Sequence, residues 1–157
     1  GSPTEIRGNF VHDPKGKDVA LQHLKERYLF GGHTHHQEVY NKFGKTYVNP
    51  GSLGLAIDGV GRHAQFSVLH TKEEQKEISW QVEQISIPYD TDSFIQDFTV
   101  SGLDEYGMIL TKAIKKTLIT GINYFYKTIK EVTDTVDQPL WEIPELFWQQ
   151  AAEKFDL

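Results

Sequence analysis

The chain has 157 residues, with 16 basic and 22 acidic side chains, a net charge of −6 and 38% hydrophobic residues, a balance that excludes a disordered tail and fits a folded domain. It has no cysteine, which excludes disulfides, iron-sulfur clusters, thiolate zinc sites and cysteine nucleophiles, so any metal must rest on His, Asp, Glu or Asn. No stretch reaches the roughly 20 apolar residues of a membrane span, no secretory pattern opens the chain, and the acidic excess argues against a broad nucleic-acid surface; a cytoplasmic protein is expected.

From Asp18, a suitable N-cap, the segment to Arg27 places Leu21, Leu24 and Tyr28 on one face and predicts a short amphipathic helix. Two short apolar runs follow, Tyr28-Leu29-Phe30 closed by Gly31-Gly32, and Thr46-Tyr47-Val48 closed by Asn49-Pro50-Gly51-Ser52, and both read as strands ending in polar loops. Ala64, Phe66 and Val68, then Ile78, Trp80 and Val82, alternate with polar residues and predict an antiparallel hairpin joined by the charged stretch from Thr71 to Glu77. The apolar parity then shifts to Ile85 and Ile87, which predicts a bulge near Glu83-Gln84. Beyond Pro88 the period becomes helical. Ile109, Ala113, Ile114 and Leu118 share a face ending at Gly121, Ile122 to Val136 repeat at three and four, and a last helix starts around Pro144 with Phe147, Ala151 and Phe155.

All seven histidines lie in the first 70 residues, and three of them stand within Gly31-Gly32-His33-Thr34-His35-His36. In extended backbone, residues two apart point to one side, so His33 and His35 can present ring nitrogens to one ion or to two neighbouring ions; a solvated His-rich loop or a structural hydrogen-bonding role is the alternative. His36 then faces the other way, toward substrate or the surroundings of the ligands. Asn49 and Ser52 are suited to fixing the turn beside a metal rather than touching it. His12-Asp13-Pro14 reads as a surface turn, and Arg62-His63 as an exposed loop tip, although either could border a substrate. The aromatic stripe from Tyr124 to Phe155 reads as core or a protein contact.

Gly32-His33-Thr34-His35 followed downstream by Tyr47-Val48-Asn49-Pro50-Gly51-Ser52 resembles the closing motifs of the calcineurin-like metallophosphoesterases, in particular their small prokaryotic phosphodiesterase branch. The resemblance covers roughly residues 1 to 88. It implies an α/β fold, here part of an α/β/β/α sandwich over residues 1–90; the helical extension over 91–157 lies outside the resemblance and is expected to serve as a cap or oligomer contact. It also implies that His33 and His35 are each a ligand, one to each of two divalent ions, manganese, iron or zinc. Two such ions about 3.5 to 4 Å apart acidify a bridging water for attack on a phosphodiester or phosphomonoester, with no protein nucleophile.

The family's upstream Asp-x-His, Gly-Asp and Gly-Asn-His motifs do not occur before residue 33. Gly1-Ser2 reads either as the end of a His-Gly-Ser ligand motif or as the remnant of a purification tag. On both readings the chain is expected to be the C-terminal part of a longer hydrolase, inactive alone. Bare strand edges then favour a homo-oligomer or association with the missing N-terminal part. The alternative is a non-catalytic scaffold or protein-interaction subunit on the same fold.

Overall fold

The computed structural model describes residues 13–74 and 77–157, so His12 and Gly1-Ser2 lie outside the described residues. The described chain is mixed α/β, with five α-helices and five strands in two small sheets. It forms two compact units, one reaching to Asp58 and including His63–Pro88, the other comprising Gly59–Arg62 and Tyr89–Leu157.

In the first unit, helix α1 spans Pro14–His23. The Asp13 carboxylate accepts from Gly16 N at 2.8 Å, and Pro14 takes the first turn, where its missing N–H leaves nothing unsatisfied. The helix thus begins ahead of the expected Asp18 cap and ends before Arg27. Asp18 lies within the helix and binds the Tyr40 hydroxyl at 2.7 Å and Lys42 Nζ at 2.6 Å. Strands β1 (Tyr28–Phe30), β2 (Glu38–Lys42) and β3 (Lys45–Asn49) form a sheet of order β1-β3-β2, parallel between β1 and β3 and antiparallel between β2 and β3. The β2–β3 turn is Phe43-Gly44, with φ of 54° and 69°, the backbone sense that suits a two-residue hairpin. Leu21 and Tyr47 are the buried centre, packed by Ala20, Leu24, Leu29 and Tyr40. Lys17, also buried, pairs with Glu38 and sits 4.3 Å from the centre of the Tyr40 ring, so its charge is met on two sides.

Strands β4 (His63–Glu74) and β5 (Glu77–Pro88) form a long ribbon that extends through most of the charged stretch. Its register runs unbroken from His63↔Pro88 to Glu74↔Glu77, so the bulge expected at Glu83-Gln84 is absent. The parity shift has another cause. Directly opposed residues share a face: Ala64 and Phe66 lie with Ile87 and Ile85 on one face, whereas Leu69 lies with Val82, and Thr71 with Trp80, on the other. The apolar side changes midway because the far half meets β1: the Trp80 ring lies 4.9 Å from Tyr28 and 6.0 Å from Phe30, centre to centre. The Tyr28 hydroxyl accepts from Trp80 N at 2.7 Å and donates to Trp80 O at 3.2 Å.

The second unit contains α2 (Thr91–Val100), α3 (Leu103–Thr120), α4 (Tyr124–Thr135) and α5 (Glu145–Phe155). Consecutive helices pack together, and α5 also returns to α3. Asp90 caps α2 through Ser93 N at 3.0 Å, and Gly121 ends α3 at φ 70° as its position predicts. Residue Met108 interrupts α3 with φ 43° and ψ −118°. Val132, Ile143 and Ala151 are buried together, with Phe147 and Trp148 against them. Arg62 N donates to Leu118 O at 2.8 Å, and its guanidinium pairs with Asp92 at 2.9 Å, so this side chain is held by an acid. Among the described residues no helix is long and apolar enough to cross a membrane.

Candidate metal-binding loops

The histidine segment leaves the end of β1. Gly31 N donates to Val48 O at 2.9 Å, carrying the parallel pairing one step past the strand. A Cβ at Gly31 would stand 2.7 Å from the Tyr47 hydroxyl oxygen, so the close approach of ring and backbone requires glycine there. The chain then turns instead of staying extended. His33 and Thr34 occupy the turn, His35 N reaches Gly32 O at 3.4 Å, and His35 adopts φ 53°. The alternation expected for an extended His-x-His therefore does not govern these rings: His33 is exposed, while His35 and His36 are half-buried.

The second motif grips the first. Asn49, 1% exposed, donates from Nδ2 to Thr34 Oγ1 at 2.7 Å and more weakly to the Tyr47 hydroxyl at 3.4 Å, while its Oδ1 accepts from Gly51 N at 3.1 Å. Burial pushes the Tyr47 phenol above its ordinary pKa, with the Asn49 bond opposing the shift. Ser52 Oγ accepts from Leu55 N at 2.9 Å, and Leu55 O lies 3.1 Å from His35 Nδ1, which therefore donates to it. Asn49 and Ser52 thus tie the loops together through these bonds. Two side chains escape sequence reasoning. Gln37 Nε2 reaches the carbonyls of Pro50, Phe66 and Ile85 at 3.1–3.2 Å, and Gln84 Nε2 donates to Asn49 O at 3.1 Å. Their partners are backbone oxygens, which leave no mark in a sequence.

An imidazole that donates from Nδ1 to a carbonyl keeps the Nε2 lone pair for a cation, and its ring orientation is fixed in advance. His35 meets that requirement. Among the described residues, however, no three His, Asp or Glu side chains converge into a metal-holding group, so His33 and His35 make at most a partial donor set. No family model, no curated protein and no solved structure matches this chain.

Proposed function

We propose that this chain carries two imidazole ligands of a dinuclear-metal phosphoesterase of the calcineurin-like kind, acting on a phosphodiester or phosphomonoester. The observation that supports this reading is the tethering of His35 Nδ1 to Leu55 O at 3.1 Å, which orients Nε2 as a metal ligand. His33 and His35 would hold manganese, iron or zinc, and ions bound there supply Lewis acidity toward phosphoryl oxygens. The chain's own residues do the positioning: Asn49 pins the turn that bears His33, and Ser52 holds the loop that orients His35. The other donors come from outside the described residues, contributed by an N-terminal part or a second copy.

The test is manganese binding by calorimetry together with hydrolysis of bis(p-nitrophenyl) phosphate, by this chain alone and by a longer form that includes the upstream metal motifs. Binding to the chain is expected to disappear in the His33→Ala/His35→Ala variant, with turnover only in the longer form. Equal turnover by the chain alone overturns its incompleteness, and manganese binding that survives the double substitution overturns the ligand assignment. An interaction subunit is the second reading, favoured by the exposure of Tyr106 (87%), Val100 (86%) and Trp141 (84%) on the helical unit. Upstream Asp-x-His and Gly-Asn-His motifs favour the enzyme, and their loss favours the interaction subunit.

A further inference from the structure

The helical unit has a cavity of about 150 Å³ where α5 returns to α3, lined by Tyr106, Met108, Ile109, Leu110, Glu145 and Trp148. The break in α3 at Met108 forms part of its wall, and that break is built in. Thr111, 2% exposed, donates from Oγ1 to Leu103 O at 3.1 Å, and a Cβ at Gly107 would stand 1.8 Å from the same hydroxyl, so only glycine fits there. Backbone strain held in place by its surroundings clusters at sites that clamp a ligand.

Glu145 brings the charge. Its side chain makes no hydrogen bond or ion pair with another described residue, whereas Lys115 is paired with Asp104, Lys130 with Asp134 and Lys154 with Glu131. Its place in the first turn of α5 suits the helix dipole, a role that leaves both carboxylate oxygens open. Residues 91–157 hold 11 acidic and 6 basic side chains, so the field around the cavity favours a cation. Trp148 stands one turn along the same side of α5, half-buried against Val132, Ile143 and Ala151.

We propose that this cavity binds a trimethylammonium group, either free as in choline or carried on a trimethylated lysine. A cavity of this volume takes a group about the size of a benzene ring and is too small for a whole cofactor. A primary ammonium needs acceptors for three N–H bonds, and the wall offers it one carboxylate. A trimethylammonium group has no N–H to satisfy. It presents methyl groups to Met108, Ile109 and Leu110 and its spread charge to indole, phenol and carboxylate.

The proposal rests on neither histidine, and its test is read on the helical unit. Choline, the uncharged analogue in which carbon replaces its nitrogen, and a short peptide bearing trimethyllysine are each titrated into the chain, followed by calorimetry and by backbone amide shifts. Choline is expected to bind saturably in the millimolar range, with the shifts centred on 106–110 and 145–148, and the uncharged analogue about fivefold more weakly. Glu145→Gln, a change at an exposed side chain, should bring choline down to the level of the analogue. The His33→Ala/His35→Ala variant should bind choline as the unsubstituted chain does. Tighter binding of the peptide than of choline identifies the protein-borne group as the ligand, and the reverse identifies the free one. Absence of saturable binding by both, an analogue that binds as tightly as choline, or binding unaffected by Glu145→Gln overturns the proposal.

Discussion

Asn49 donates from Nδ2 to Thr34 Oγ1 at 2.7 Å, and this buried bond joins the histidine turn to the loop that follows β3. Asn49 also receives Gly51 N on Oδ1, so one amide serves both segments. Asn49→Ala leaves the Gly51 N–H and the Thr34 hydroxyl without that partner and is expected to cost about 2–3 kcal/mol, since buried polar groups lose their solvation without compensation. Urea unfolding of the two proteins measures it; a change below about 0.5 kcal/mol would mean that water replaces the amide freely.

The imidazoles predict a different pattern. His33 is exposed and His35 half-buried, so neither carries much packing. His33→Ala and His35→Ala should each weaken manganese binding by at least about tenfold; in the metal-free chain His33→Ala should leave the unfolding midpoint nearly unchanged, whereas His35→Ala gives up the bond to Leu55 O and should lower it. Equal affinity in both single variants removes the metal reading.

Acid should loosen the α1–β2 contact. Hydrogen bonds from Lys42 and Tyr40 lower the Asp18 pKa, and the same contacts raise those of Lys42 and Tyr40. A carboxyl whose pKa is lower in the folded state stabilises the fold above its ordinary value of 3.8, and that contribution fades as pH falls through the folded-state value. The sign reverses for Tyr40 and Lys42, whose contribution is present at neutral pH and fades in strong alkali. Below about pH 4 the unfolding temperature should fall more steeply for the unsubstituted protein than for Asp18→Asn. Parallel acid limbs would show that the pair is screened out by solvent.

Met108 sits in a backbone region that only glycine occupies without strain, inside an otherwise helical segment. Met108→Gly should stabilise the chain by about 1 kcal/mol, the relief of strain exceeding the added freedom of the unfolded state. Guanidinium unfolding decides it. Destabilisation by a similar amount would show that the Met108 side chain, 52% exposed, contributes packing worth more than the strain.

Much of this fold is legible in the sequence because its signals are local. The apolar runs closed by Gly31-Gly32 and by Asn49-Pro50 became β1 and β3, and Gly121 stopped α3. What was missed depends on distant neighbours. Strand β2 reads Glu-Val-Tyr-Asn-Lys and shows no apolar stripe; its Tyr40 and Lys42 are satisfied by Asp18 on α1, and its Glu38 by Lys17. The bulge was wrong because the parity shift recorded a change of neighbours along a regular ribbon. For the candidate site, the types and spacing of His33, His35, Asn49 and Ser52 were readable. The turn at His33-Thr34 and the Leu55 carbonyl were not, since both follow from how the second loop folds back.

The β4–β5 ribbon turns a greasy side one way near its ends and the opposite way toward its tip, without a break in pairing. Such a ribbon has no uniform inside. Deleting a single residue from the tip would reverse the orientation of every side chain on one strand relative to its mate, mismatching both halves at once. Trimming whole opposed pairs such as Lys72 with Ser79 would shorten the ribbon and spare its root. Length in this ribbon is therefore free to vary only in steps of two residues.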